Sequence, residues 1–323
     1  MFSYLIKRLL YAIPIIVGIT VITFAVMYFT PGKPTDAITD FNTKITSESK
    51  ERLYKLYGLD KPVYEQYWNW FKRVVVFDFG ESFKDGQPAA KKIAERLPAT
   101  ILLSVLSMIL MLAVAIPIGV YSAVKKYTFS DRVLTAIMFV CFSVPAFWVA
   151  LMLMIVFGLW LGWLPISGLT SFNFSDMSVF GKVWDLTKHL ILPVFVSSLA
   201  SFAVLSRYIR SGMLDVLKQD YIKTAYAKGL SRRDIIFKHA LKNALLPLIT
   251  IIGLSIPALV GGSFIIETVF SYPGMGRLGF EAIMARDYPV IMGIGVIAAF
   301  LTLAGNIVAD VLYSVADPRI RYK

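Results

Sequence analysis

The side chains that could do chemistry in this 323-residue chain are few and scattered. The single cysteine, Cys141, lies in an apolar run and excludes an intrachain disulfide or a cysteine-based zinc site. The two histidines, His189 and His239, lie far apart and do not indicate a metal centre. No G-x-x-x-x-G-K-[ST] phosphate loop occurs, and no nucleophile, acid and metal ligands converge. We therefore expect no enzymatic activity and no metal or cofactor bound by this chain.

Two polar residues stand out because they lie in or beside long apolar runs. Glu267 follows one run and Asn306 lies inside another. Charged and polar groups at membrane depth are costly and often functional. For Glu267, a structural ion pair or interfacial position is favoured, and a place on a substrate path or in gating is the alternative. For Asn306, a bond to a neighbouring helix and a place on that path both remain open.

The segment 207–243 carries most of the information. Apolar residues at helical spacing up to Ala225 predict a first helix, and Gly229 supplies a break that needs a positive φ. Ser231 can cap a second helix, with Asp234 as a short form of the capping-box acid. The second helix has an apolar side, and its other side is basic.

Three interpretations of this basic segment remain open. It could be a solvated loop, a DNA-binding helix-turn-helix or a docking element for a cytoplasmic protein. Both of its ends are tied to apolar runs, which disfavours DNA binding. A docking element fits the combination of an apolar edge and a basic rim best.

The composition identifies the elements that must position these residues. The chain is 57% hydrophobic and 17% charged, whereas soluble domains have about 45–50% apolar and 25% charged residues. This excess excludes a simple soluble enzyme, a disordered chain and a basic nucleic-acid tail. The net charge of +12 nevertheless needs an explanation, since it could indicate nucleic acid or an anionic membrane surface.

Six uncharged or nearly uncharged stretches are long enough to cross a membrane, which needs about 20 residues. We predict an all-α membrane protein with a cytoplasmic N-terminus and first span in 1–30, an external segment 31–96 and a core 97–323. The further spans are predicted at 97–124, 133–161, 189–206, 244–266 and 288–313.

The distribution of basic residues sets the orientation. If both termini are cytoplasmic, the inner segments hold 17 of the 33 Lys and Arg residues but only five acidic residues. The outer segments are then nearly neutral, as the positive-inside rule requires. The excess charge therefore indicates membrane orientation and argues against a nucleic-acid partner.

The external segment 31–96 is too long for a plain loop. We predict a short helix over 47–57 that ends at Gly58, and a second helix that begins after Pro62. Val63, Tyr67, Trp70, Phe71 and Val74 would share one face of this second helix. A small packed cap and a contact with an external partner both remain open.

Several motifs together resemble one family over essentially the whole chain. The stretches DYIKTAYAKGL (220–230) and HALKNALLP (239–247) look like the cytoplasmic EAA loop of ABC importer permeases. ERLPAT (95–100), PGMG (273–276) and DPRIRY (317–322) resemble further segments of the oligopeptide/dipeptide subfamily. The chain thus resembles the first permease subunit of that subfamily. The acid-Ala-Ala opening of the loop is replaced by Lys223-Thr224-Ala225, a departure that also looks typical of the peptide subfamily.

The resemblance implies a type I ABC importer permease fold in a prokaryotic cell membrane. It implies import of oligopeptides or dipeptides, with a second permease subunit, two cytoplasmic ATPases and an external peptide-binding protein as partners, besides membrane lipid. ATP and Mg would be bound by the ATPases. The expected ATPase-coupling residues are Thr224, Ala225, Gly229, Leu230, Asp234 and His239.

Two alternatives to this function remain. The same type of permease could import nickel chelates, glutathione or oligosaccharides, because permease sequences discriminate cargo poorly. An ion-coupled secondary transporter is disfavoured, because it would predict charged relays inside the spans and inverted repeats. The spans here are almost free of charge.

Overall fold

A computed structural model describes residues 2–29, 60–256 and 258–316. Within these ranges the chain forms helices and loops without a β-strand, which confirms the all-α class. In chain order the helices are α1 (Phe2–Phe29), α2 (Val63–Val75), α3 (Ala89–Val124), α4 (Phe129–Ser143), α5 (Ala146–Trp160), α6 (Val179–Leu217), α7 (Asp220–Ala227), α8 (232–244), α9 (Leu246–Ser255), α10 (Ala258–Gly261), α11 (Phe264–Val269), α12 (Met275–Met284) and α13 (Tyr288–Ala316). The end of α5 and the middle of α8, Met154–Trp160 and Ile235–Ala240, are π-helical.

Four of these helices, α1, α3, α6 and α13, are long and apolar enough to cross a membrane. The predicted span 133–161 consists of two helices, α4 and α5, which meet at an angle of 98°. The break lies at Pro145, and the preceding Val144 is extended, as the ring of a proline requires of its neighbour. Counting this bent pair as one span gives five spans in the described residues.

The predicted span 244–266 differs most from a single helix. It is divided among the end of α8 and the three short helices α9, α10 and α11. Gly262, which separates α10 from α11, has a φ of +65°, a conformation outside the helical region. The fifth predicted span, 244–266, therefore corresponds to a chain of short helices in the part that the structure describes.

The longest helices, α3 and α6, pack against each other. At Gly119 of α3 the contact is so close that an added Cβ would lie 2.7 Å from Cβ of Ile209 on α6. Both helices extend beyond the predicted spans, because α3 begins at Ala89 and α6 covers Val179–Leu217. The additional turns contain charged residues. They lie outside the predicted spans because those spans were defined as stretches without charge.

The first helix is attached at both ends of its length. Arg8 of α1 forms a 2.8 Å ion pair with Asp310 of α13. Further along α1, the ring of Phe24 contacts the rings of Tyr67 and Trp70 on α2. The helix predicted to begin after Pro62 is thus confirmed, and part of its predicted face packs on α1. The predicted helix 47–57 and Gly58 lie outside the described residues.

Candidate functional site

The basic segment forms a compact unit at one end of α3 and α6. We call residues 218–244, with α7 and α8, the inner unit, after its predicted cytoplasmic side. The predicted first helix is interrupted, since α6 ends at Leu217 and α7 begins at Asp220. Gln219 between them is extended, with a ψ of 148°. The helix pair is therefore α7 and α8, joined by the loop 228–231.

An apolar cluster anchors the inner unit to the long helices. The buried residues of the unit pack in one cluster with residues of α3 and α6; they are Ile222, Ala225, Ile235, Ile236, Ala240 and Ala244. Ile209 and Met213 of α6, which belong to the same cluster, are fully buried. A displacement of the unit must therefore move α3 and α6 with it, because close-packed side chains transmit displacement.

Local hydrogen bonds fix the loop of the inner unit. The amide of Leu230 donates to the carbonyl of Ala225 and the amide of Gly229 to that of Tyr226, which is the Schellman arrangement at a helix end. Gly229 has a φ of +76°, as predicted from its position at the break. The next helix is capped at once, because Ser231 Oγ accepts from the amide of Asp234 at 3.1 Å.

Two charge-assisted contacts hold the Asp234 side chain in the inner unit. The hydroxyl of Ser231 donates to one carboxylate oxygen, and Lys238 lies 2.6 Å from the other. The hydrogen bonds from Lys238 and Ser231 lower the pKa of Asp234 below its usual value of 3.8. At neutral pH the Asp234 carboxylate is therefore charged, and each of its two oxygens has a partner.

The surface of the inner unit presents apolar side chains between basic ones. Tyr226 is 50% exposed, Leu230 40% and Phe237 55%. Exposed large apolar residues in a basic surround are typical of a protein-binding surface. Tyr226 and Phe237 are not among the residues predicted from sequence to contact a partner. Their position on either side of Gly229 is the one sequence feature that would indicate such a role.

The six predicted coupling residues occupy different layers of this unit. Thr224, Gly229 and Leu230 are exposed, and Asp234 and His239 are half-buried. Ala225 is only 6% exposed and belongs to the anchoring cluster. The structure thus brings all six into one unit but places Ala225 on the side that faces the membrane helices.

At the opposite end of α3, Glu267 is fully buried. Thr100 Oγ1 donates to its Oε1 at 3.1 Å, and the amide of Arg277 donates to its Oε2 at 2.9 Å. The amide of Met275 donates to Thr100 Oγ1 at 2.7 Å, which links α3, α11 and α12. We call this group, together with the glycines around it, the outer latch.

Glycines allow the backbone to close around the outer latch. A Cβ at Gly274 would collide with the Glu267 carboxyl, and one at Gly276 would lie 2.6 Å from the amide nitrogen of Phe264. Both carboxylate oxygens are thus enclosed by backbone and already hydrogen-bonded. Within the described residues Glu267 forms these hydrogen bonds and no ion pair, so its surroundings differ from the ion pair or interfacial position expected from sequence.

A cavity of about 260 Å³ lies between α3, α6 and the short helices α9–α11. We call it the serine-lined cavity, because seven of the fourteen described residues that line it are Ser104, Ser107, Ser197, Ser198, Ser201, Ser255 and Ser263. Glu267 borders it, whereas Asn306 on α13 is not among the residues that line it. The two residues considered for a substrate path are therefore not both at this cavity.

Within 2–29, 60–256 and 258–316, no group of three His, Cys, Asp or Glu residues is arranged so that it could hold a metal ion. The arrangement comprises an exposed surface of apolar and basic side chains, a buried polar latch and a cavity lined largely by serines.

Comparisons with known sequences cover the entire chain. Residues 115–322 match the family described as "Binding-protein-dependent transport system inner membrane component", and residues 1–104 match its N-terminal family. The oligopeptide transport system permease protein AppB of Bacillus subtilis is 45% identical over 323 residues, covering all of both chains. The dipeptide transport system permease protein DppB of Escherichia coli K12 is 38% identical over 339 residues, again covering all of both chains.

Solved structures give the same fold. A chain of the MetNI methionine ABC transporter in an inward-facing conformation superposes with a TM-score of 0.50. The match covers 68% of this chain and 95% of that one at 15% identity. A second crystal form of that transporter gives a TM-score of 0.51. At this identity the likeness supports the fold, and the predicted type I importer architecture agrees with it.

Proposed function

The chain belongs to the family of binding-protein-dependent transport system inner membrane components, and on that basis we propose that it is the permease subunit of an ATP-driven importer of oligopeptides or dipeptides. The names of the full-length relatives, an oligopeptide and a dipeptide permease, support the choice of cargo. The chain has no nucleotide-binding motif of its own, so the energy must come from another subunit.

The partners follow from this role. A second permease subunit completes the membrane part, two cytoplasmic ATPases bind ATP and Mg, and an external binding protein delivers the peptide. Family members are components of binding-protein-dependent systems, which supports a multi-subunit complex. This chain then contributes part of the path across the membrane and the surface through which movement of the ATPases is transmitted. The ATPases hydrolyse the ATP.

The proposed orientation in the cell membrane places both termini in the cytoplasm. The ion pair between Arg8, near the start of α1, and Asp310, towards the end of α13, supports placing both termini on one side. The basic inner unit lies at the cytoplasmic face in this orientation, in agreement with the positive-inside rule.

The observation that carries the proposal is the construction of the inner unit. Its loop is fixed by local hydrogen bonds, its buried side is packed on α3 and α6, and its free side presents Tyr226, Leu230 and Phe237. A preorganised surface of this kind loses little conformational entropy on binding. We assign it as the ATPase-docking element, with Thr224, Gly229, Leu230, Asp234 and His239 shaping its surface and Ala225 anchoring it.

In this mechanism the ATPases move the inner unit when they bind and hydrolyse ATP. The movement passes through the buried cluster to α3 and α6, which border the serine-lined cavity. Access to the cavity alternates only if the ATPases bind the two conformations with different affinity. The outer latch holds the external ends of α3, α11 and α12 together during this movement.

Leu230→Asp tests the docking assignment. Leu230 is exposed, so the charge should leave the fold intact while it disrupts an apolar contact with the ATPase. We expect at least a tenfold loss of co-purified ATPase subunits and of peptide uptake, with unchanged amounts of permease in the membrane.

Phe172→Asp is the matched control, because Phe172 is a fully exposed apolar residue on the predicted outer connection. It should retain wild-type ATPase content. Wild-type ATPase content in Leu230→Asp complexes would show that docking occurs elsewhere. Uptake of nickel chelates or glutathione, with no uptake of peptides, would overturn the cargo while leaving the docking role intact.

A further inference from the structure

Resting on the proposed transport function, we propose that the serine-lined cavity is this chain's share of the translocation path, and that it holds cargo by hydrogen bonds to the peptide main chain. Ser104 and Ser107 lie near the middle of α3, and Ser197, Ser198 and Ser201 lie near the middle of α6. Both helices exceed the length of a bilayer core, so their middle turns lie at membrane depth.

Three hydroxyls of the cavity have unused hydrogen-bonding capacity. The hydroxyls of Ser104, Ser197 and Ser201 make no side-chain hydrogen bond within the described ranges, although their backbone groups belong to α3 and α6. The Ser197 oxygen is itself buried without a partner. Burying a hydroxyl without a hydrogen bond costs about 1–3 kcal/mol in proteins, so such groups mark places where water or a ligand binds.

The remaining wall supplies acceptors. Ser107, Ser198 and Ser255 donate their protons to carbonyls one helical turn before them, at 2.7 Å in each case. Their oxygens keep lone pairs for an incoming N–H group. The cavity thus offers both donors and acceptors, as does each peptide unit, with its one N–H and one C=O.

The cavity discriminates little by charge. Among the described residues that line it, Glu267 is the only ionisable one, and its two carboxylate oxygens already accept hydrogen bonds from Thr100 and the Arg277 amide. The apolar part of the wall includes Met108 and Met111, whose flexible side chains adapt to different shapes. A neutral wall of hydroxyls and methionines accommodates many side chains while it bonds the feature that all peptides share.

The short helices α9–α11 form the third wall. Because α10 ends at Gly261 and α11 begins at Phe264, this wall has a non-helical gap at Gly262 and Ser263, and both residues line the cavity. Non-helical backbone at membrane depth is tolerated where it borders a protein-enclosed or water-filled space. The break in the predicted fifth span and the serine row are therefore two independent signs of the same path.

Cysteine accessibility in the complete importer tests this assignment. Ser104→Cys and Ser201→Cys are introduced into a Cys141→Ser chain, assembled with its partners in vesicles and treated with a charged, membrane-impermeant thiol reagent. We expect both cysteines to react in one or more steps of the ATP cycle. Saturating peptide together with binding protein and ATP should slow the reaction at least severalfold. Phe172→Cys is the control, since this fully exposed residue on the predicted outer connection lies outside the cavity and should react without protection by peptide.

The outcomes separate this inference from the proposed function. If the Cys141→Ser parent imports peptides but peptide protects neither cysteine, the path lies elsewhere and the inference fails alone. If the parent retains its partners but imports no peptide, the proposed cargo fails. Dipeptides carrying acidic, basic and neutral side chains should protect to within about twofold of one another at saturation. Protection that differs more than tenfold with side-chain charge would overturn main-chain recognition.

Discussion

The outer latch and the inner unit differ in where their polar groups find partners. In the outer latch, Thr100 and Glu267 are 167 residues apart in sequence, and both are completely buried. In the inner unit, Ser231, Asp234 and Lys238 bond one another within two helical turns at the surface. The outer latch depends on the packing of three helices, whereas the conformation of the inner unit is held by contacts between neighbours in sequence.

This difference indicates a division of labour. A locally bonded unit keeps its surface when its neighbours move, which suits a docking element. A long-range buried polar group is lost when the surrounding helices separate, which suits a clamp that limits separation. Substitutions in the outer latch should therefore lower global stability, and substitutions in the inner unit should change local order or partner binding.

Gly276→Ala should have the largest effect on stability. Its methyl group would lie 2.6 Å from the amide nitrogen of Phe264, and backbone on both sides must shift. Overpacking of this kind costs about 1–3 kcal/mol. Gly261→Ala is the control, because no atom other than its chain neighbours and the backbone of its own helix lies within 4 Å of the new Cβ. Thermal unfolding of the purified subunit in detergent should separate the two, and equal melting temperatures would contradict the close packing of the latch.

Thr100→Val should have the next largest effect. The change removes the hydrogen bond to Glu267 and leaves the Met275 amide without its acceptor. A buried group left unsatisfied costs about 1–3 kcal/mol. Thr187→Val, which removes an exposed hydroxyl bonded to the Val183 carbonyl, should be almost neutral in the same unfolding experiment. A neutral Thr100→Val variant would show that the latch does not depend on this hydroxyl.

Asp234→Asn should have the smallest effect, confined to α8. The lowered pKa means that the carboxylate stabilises the folded unit above pH 3.8, and that this contribution is lost as the pH falls through the folded-state pKa. In wild type, hydrogen exchange of α8 corrected for intrinsic rates should stay constant from pH 7 to about pH 5 and rise below pH 3.8.

The Asp234→Asn variant should lose this acid step, with slightly faster exchange of α8 at neutral pH. Asp220→Asn, on the neighbouring α7, should keep the step in α8. An unchanged step in Asp234→Asn would assign the pH dependence to another group. A change in the hydrogen exchange of α3 or α12 in Asp234→Asn would contradict the contrast between the two regions, because the contacts of Asp234 would then not be local.

The sequence predicted local features well and distant pairings poorly. The helix after Pro62, the positive φ at Gly229 and the cap at Ser231 each depend on a few neighbouring residues. Nothing in the spacing of Thr100 and Glu267, or of the serines on α3 and α6, shows that they meet. Their meeting depends on the rotation of whole helices about their axes.

The predicted spans show a second limit. An uncharged stretch corresponds only to the part of a helix in apolar surroundings. The predicted span 189–206 therefore covers less than half of the residues of α6. Pro145 lies inside the predicted span 133–161, and Pro247 and Pro257 lie inside 244–266, but these prolines alone do not predict the bend or the division into short helices. Membrane helices can continue through proline when neighbours bond the freed groups, so the residue alone does not distinguish a kink from a break.

Helix α6 has a mechanical consequence. Between Ser197, which borders the cavity, and Met213, which is buried in the inner cluster, it runs about 24 Å without a proline. Such a helical segment is stiff, so a tilt of α6 near Met213 displaces Ser197 by a corresponding amount. Pro193 lies one turn beyond Ser197. The helix thus contains no proline between the inner cluster and Ser197, and the ring of Pro193, which removes one backbone N–H, comes only past the hydroxyls of the cavity.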